Sequence, residues 1–161
     1  MRHGGANGRD DESGSMSGTV NETMRKFGYP RTTLIETDRW VVLARPQQAT
    51  LGALVLASRE PARQLAEVSA EGFAEMQTLV GRIERGLKAK FAWDKINYLC
   101  LMMVDPDVHF HVIPRYAAPR AFAGVQFPDQ GWPALPSLGQ APALDEATFD
   151  RLIAELRAAL A

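Results

Sequence analysis

Cysteine, histidine, long apolar runs and net charge are all scarce in this chain, and each scarcity excludes something. One cysteine in 161 residues, Cys100, rules out a disulfide within the chain and suits a reducing compartment. No apolar run approaches the ~18 residues of a membrane span. A formal net charge of −1 gives no bulk attraction to nucleic acid or to an acidic membrane surface, so neither is expected as a partner. The opening segment MRHGGANGRDDESGSMSGTVNE, residues 1–22, lacks the apolar middle of a signal peptide, which makes a soluble cytoplasmic protein the expectation. It also has almost nothing to bury, cannot offset its ordering entropy, and is expected to be disordered.

What is present is globular in character. Apolar residues make up 46% and charged residues 23%, at a length that suits one domain. That domain is assigned to residues 23–161, with a core over about 27–116 and an extension over 117–161. TTLIETDRWVVLAR reads as two strands around a turn at Thr37 and Asp38, ended by Pro46. GALVLASR, from Gly52, is a third strand. VSAEGFAEMQTLVGRIERGLKAKF is a helix that Ser69 can cap, with Phe73, Met76, Leu79, Val80, Ile83 and Leu87 on one stripe. Gly81 and Gly86 weaken its interior. KINYLCLMM is a fourth strand and VHFHVIPRY a fifth, stopped at Pro114.

The stretch 117–144 is too rich in Pro and Gly for regular structure, though Phe122, Phe127 and Trp132 suit it to lie across a surface. Asp145 caps a last helix with Phe149, Leu152, Ile153, Leu156 and Leu160 on one face. The expected fold class is α+β: a five-stranded antiparallel sheet, a long helix between strands three and four, and a C-terminal helix.

Of three histidines, His3 lies in the head and the other two stand together in DVHFHVIPRY. Residues two apart in a strand share a face, so Asp107, His109 and His111 are expected to project together, opposite Val108, Phe110 and Val112. Paired imidazoles can bind a metal, act as acid and base, or combine a nucleophilic nitrogen with a donor to phosphate. Asn97 in the fourth strand and Arg115 at the end of the fifth add candidate contacts to a ribose or phosphate.

DVHFHVIPR resembles the signature of the histidine triad superfamily, His-φ-His-φ-His-φ-φ with φ apolar, except that Asp107 holds the first histidine position. RPQQATLGALVLASREP is similar to a strand-loop-strand segment of the fragile-histidine-triad, diadenosine polyphosphate hydrolase-like branch. The resemblance implies a hydrolase or nucleotidyltransferase attacking the α-phosphate of a nucleotide, with a dinucleoside polyphosphate or a phosphoramidate-like compound as substrate. It makes His109 the nucleophile of a nucleotidyl-histidine intermediate and His111 a donor to a phosphate oxygen. The backbone carbonyl of Asp107 would hold the nucleophile's other ring nitrogen. Its carboxylate, if it faces the imidazoles, would raise their pKa, and Asp107→His would then speed the enzyme. Arg45 falls near the ribose position. Two departures stand out: Ala53 where better-known branches carry a further histidine, and MMVDP in place of a Gly-Gln type phosphate segment. No cofactor and no metal are needed on this route, and a homodimer joined into one ten-stranded sheet is implied. Two alternatives stay open: a non-catalytic nucleotide-binding sensor with a degenerate triad, and a metal site formed by Asp107, His109 and His111.

Overall fold

In the computed structural model, which describes residues 18–161, the apolar runs between 33 and 58 fold into three consecutive strands. These are β1 (Thr33–Glu36), β2 (Trp40–Ala44) and β3 (Leu54–Ser58). With β4 (Lys95–Leu99) and β5 (His109–Arg115) they form one antiparallel sheet in the order β1-β2-β3-β5-β4. Every residue of β2, β3 and β5 is buried, because both faces of the sheet are covered.

One face carries Trp40, Val42, Leu54, Leu56, Phe110 and Val112 beneath two helices. α2 (Ala70–Phe91) begins where Ser69 accepts a hydrogen bond from the Gly72 amide at 2.9 Å, and it buries Leu79, Ile83, Leu87 and Phe91. α3 (Glu146–Ala159) begins where Asp145 accepts from the Thr148 amide at 2.7 Å, and it buries Phe149, Leu152, Ile153 and Leu156. Gly86 costs α2 some helix propensity but has a packing reason, since a methyl there would collide with the Ala159 carbonyl. Gly52, at φ +88° before β3, is likewise required: any Cβ would be strained and would meet the Phe91 ring at 3.1 Å.

The opposite face holds Val41, Leu43, Val55 and Ala57 under Met24 and Phe27. Met24 belongs to α1 (Glu22–Lys26), a single turn that Asn21 caps by accepting from the Met24 amide at 2.9 Å. This corrects the expected boundary of the head. Asn21 also donates to the Ser58 carbonyl at 3.1 Å, and Gly18 lies against Arg59, so 18–22 are part of the domain. Residues 1–17, including His3, lie outside the described residues.

Three further expectations shift. β4 ends at Leu99, and Cys100 to Met103 leave the sheet as a loop. Pro114 sits inside β5 instead of ending it. β3 stops opposite Val112, so only β4 pairs with this part of the strand, and a residue without an N–H is tolerated. The extension also contains regular structure, a hairpin of β6 (Arg120–Phe122) and β7 (Val125–Phe127). Its two-residue turn, Ala123 at φ +49° and Gly124 at φ +77°, has the positive φ values a tight hairpin uses. Among the described residues no helix is long and apolar enough to cross a membrane.

Candidate functional site

β5 carries both histidines on the face that α1 covers, His109 opposite Ala57 and His111 opposite Val55. Their ring centroids lie 5.1 Å apart, and the Phe27 ring sits over both, at 5.7 Å from His109 and 5.6 Å from His111. Both are buried. Nδ1 of His109 lies 2.7 Å from the Asp107 carbonyl oxygen. A carbonyl only accepts, so Nδ1 carries a proton, and in the neutral tautomer that this selects, Nε2 is bare.

The histidines open onto a cleft of about 430 Å³ bounded by α1, the β2–β3 loop and the β4–β5 loop. Its walls include Arg45 after β2, Lys26 at the end of α1, and Met102 and Asp105 between β4 and β5. Arg45 is 7% exposed, and Nη1 donates to the carbonyls of Gln47 at 2.6 Å and Leu138 at 3.3 Å. Among the described residues its buried Nε has no hydrogen-bond partner and no carboxylate pairs with it. Burial pushes the Arg45 guanidinium down from its usual range. An unneutralised buried cation of this kind favours an anionic ligand. Gln48 holds the loop that presents Arg45. Its buried side chain donates to the carbonyls of Arg45 and Ala53 and accepts from the Gly52 amide.

Burial, aided by the positive charge of Arg45, pushes His111 down to about 4, so its ring is neutral at pH 7. Among the described residues its buried Nδ1 has no hydrogen-bond partner. A neutral imidazole still carries one N–H to offer a phosphate oxygen.

The expected position of Asp107 is half right. Its carbonyl serves His109, but its carboxylate leaves the histidine face. One oxygen accepts from the Thr23 hydroxyl at 2.9 Å and the other lies 3.8 Å from Nε of Arg63, outside the cleft. The cause is where the strand starts. The Val108 amide donates to the Ala62 carbonyl and the Val108 carbonyl accepts from Ser58, so Asp107 precedes the ladder and escapes its alternation. The facial set of Asp107, His109 and His111 is therefore not assembled, and among the described residues no three His, Cys, Asp or Glu side chains converge as metal ligands.

Asn97 and Arg115 are also placed elsewhere. Arg115 Nε and Nη2 donate to Asp129 at 2.7 and 3.1 Å, and Nη1 donates to Asn97 at 2.8 Å. The Arg115 and Asp129 side chains are 5% and 1% exposed, which makes them a buried structural pair tying the extension to β5. Neither Arg115 nor Asn97 lines the cleft, and neither does Trp132. Ala53 is buried, and its carbonyl accepts from the Arg45 amide and Gln48. Sequence reasoning missed Lys26, Gln48 and Asp105. Only the first had a local signal, the Asn21 cap that marks α1.

The sequence matches the HIT domain family over residues 27–118. No curated protein is matched by it. Similar solved structures include a histidine triad protein from Bradyrhizobium japonicum, 21% identical, covering 89% of this chain and 98% of that one with a TM-score of 0.68. A histidine triad protein from Marinobacter aquaeolei is 22% identical, covering 88% and 95%, also at 0.68. A zinc-bound histidine triad family protein from Mycobacterium smegmatis is 18% identical, covering 81% and 84% at 0.57. At these identities the likeness is one of fold.

Proposed function

Because the chain belongs to the histidine triad (HIT) family, whose members generally act on nucleotides, we propose that it is a nucleotide hydrolase or nucleotidyltransferase working through His109. The observation that carries this reading is the Nδ1–H of His109 held by the Asp107 carbonyl, which aims a bare Nε2 into a cleft whose buried Arg45 lacks a counter-charge.

In the proposed step Nε2 of His109 attacks the α-phosphorus of a nucleotide. A P–N bond forms, and the bond from phosphorus to the leaving group breaks with its electron pair. The ring becomes cationic, and the Asp107 carbonyl stabilises it through the Nδ1 proton. His111 donates its one N–H to a phosphate oxygen, and Arg45 offsets the charge that develops there. Water or another acceptor then displaces the histidine. Asp107 takes part through its backbone only, so the altered first triad position leaves the step intact.

The leaving group is a polyphosphate, as in a dinucleoside polyphosphate, or an amine, as in a phosphoramidate, which takes up a proton from water as it departs. The zinc-bound Mycobacterium smegmatis relative gives precedent for a metal reading, but here the carboxylate that a three-ligand set requires is bonded to Thr23. The outer edge of β4, unpaired among the described residues, supports the homodimer reading, since an exposed edge invites a second copy. The apolar stripe of α2 is largely consumed by packing on the sheet and α3, and leaves little for an interface. Turnover of a panel of nucleotide anhydrides and phosphoramidates by wild type and His109→Ala tests the proposal. Loss of several orders of magnitude is expected, and a variant that keeps more than about a tenth of the rate contradicts it.

A further inference from the structure

The second cation of the cleft is held differently from the first. Lys26 Nζ lies 2.9 Å and 3.0 Å from the two carboxylate oxygens of Asp105. The pair joins the end of α1 to the β4–β5 loop, and both residues line the cleft that holds His109, His111 and Arg45. The Lys26 side chain is 50% exposed and the Asp105 side chain 17%. Asp105 is the less adjustable partner, because Pro106 restricts its backbone to extended conformations. Lys26 has four rotatable bonds and water beside it. A half-exposed ion pair of this kind is weak and readily exchanged for a better anion.

We infer that Lys26 is a specificity-determining cation that binds the phosphates beyond the one His109 attacks, and that Asp105 holds it in reserve until such a chain arrives. This rests on reading the cleft as a nucleotide site. The buried Arg45 and histidines would meet the attacked phosphate, and the more exposed Lys26 and Asp105 line the same cleft. A single phosphate held inside leaves the ion pair closed. A chain carrying two or more further charges competes with one carboxylate and draws Lys26 onto itself. The loop Leu101 to Val104 offers no polar side chain for such a chain, so the cation must come from α1. The cleft would thereby favour polyphosphate leaving groups over uncharged ones.

The test is calorimetric binding of inorganic tripolyphosphate, with orthophosphate for comparison, to wild type, Lys26→Met, Asp105→Asn and Lys90→Met. Lys90 pairs with Glu155 between α2 and α3, so that variant removes an equal charge elsewhere. Lys26→Met should weaken tripolyphosphate binding by about tenfold or more, the size of one lost charge-assisted contact. Asp105→Asn should tighten it, and Lys90→Met should match wild type. Orthophosphate should respond little to any of them. The inference is overturned if Lys26→Met behaves like Lys90→Met, if Asp105→Asn fails to tighten binding, or if tripolyphosphate does not bind. Lys26-dependent binding without any nucleotidylation of His109 would keep this site and sink the proposed reaction. Nucleotidylation with Lys26-independent binding would do the reverse.

Discussion

The backbone carbonyl of Asp107 holds Nδ1 of His109 at 2.7 Å. A contact from the main chain does not depend on the side chain that stands at 107, and here that side chain is occupied with Thr23. Asp107→Asn should therefore leave the pH–rate profile in place and change turnover less than tenfold, while losing about 1 kcal/mol of stability with the weakened Thr23 contact. Asp107→His should bring no third imidazole into the cleft and give no gain in rate. Steady-state kinetics from about pH 5 to 9, with urea unfolding, decides it. A shift of the acid limb in Asp107→Asn would show that the carboxylate acts on the histidines.

How much of this was legible follows from where the chain obeys its own periodicity. His109 and His111 share a face because β5 is regular there, and two-residue spacing finds them. Asp107 defeats the same rule by lying two residues before the first ladder residue, His109, and directly after Pro106. α1 is too short for any periodic pattern, so Thr23, Lys26 and the cover over the histidines were invisible apart from the Asn21 cap. The two helices were readable end to end because caps and apolar stripes agree. Arg115 was misread because its partner, Asp129, follows in a stretch whose Pro and Gly content gives no pairing signal.

His111 should set part of the pH dependence of stability. Its folded pKa, about 4, lies below the ordinary value of 6.5, so the unfolded state binds the proton more readily. The contribution is full above pH 6.5 and is lost as pH falls toward 4. Solvent reaching the cleft softens the effect to the order of 2 kcal/mol. Urea midpoints at pH 7.5 and pH 5 should differ more for wild type than for His111→Gln. Equal differences in the two proteins would contradict the assignment.

Breaking the Arg115–Asp129 pair should cost fold and spare chemistry. Arg115→Met leaves a buried carboxylate uncompensated, at about 3–5 kcal/mol. At temperatures where the variant stays folded, KM for a nucleotide should remain near the wild-type value. A large rise in KM without loss of stability would return Arg115 to the substrate.

The proposed homodimer rests on the outer edge of β4, which no strand among the described residues pairs. Sedimentation equilibrium at micromolar concentration should give twice the chain mass. A monomer under those conditions would remove the ten-stranded sheet from the account.

The most direct test of the central claim is intact-protein mass spectrometry of rapidly acid-free-quenched mixtures with a nucleotide substrate. A transient mass increase of one nucleotidyl group is expected, mapped to His109, acid-labile as a P–N bond is, and absent from His109→Ala. Turnover with no adduct, or an adduct on another residue that survives in His109→Ala, would contradict it.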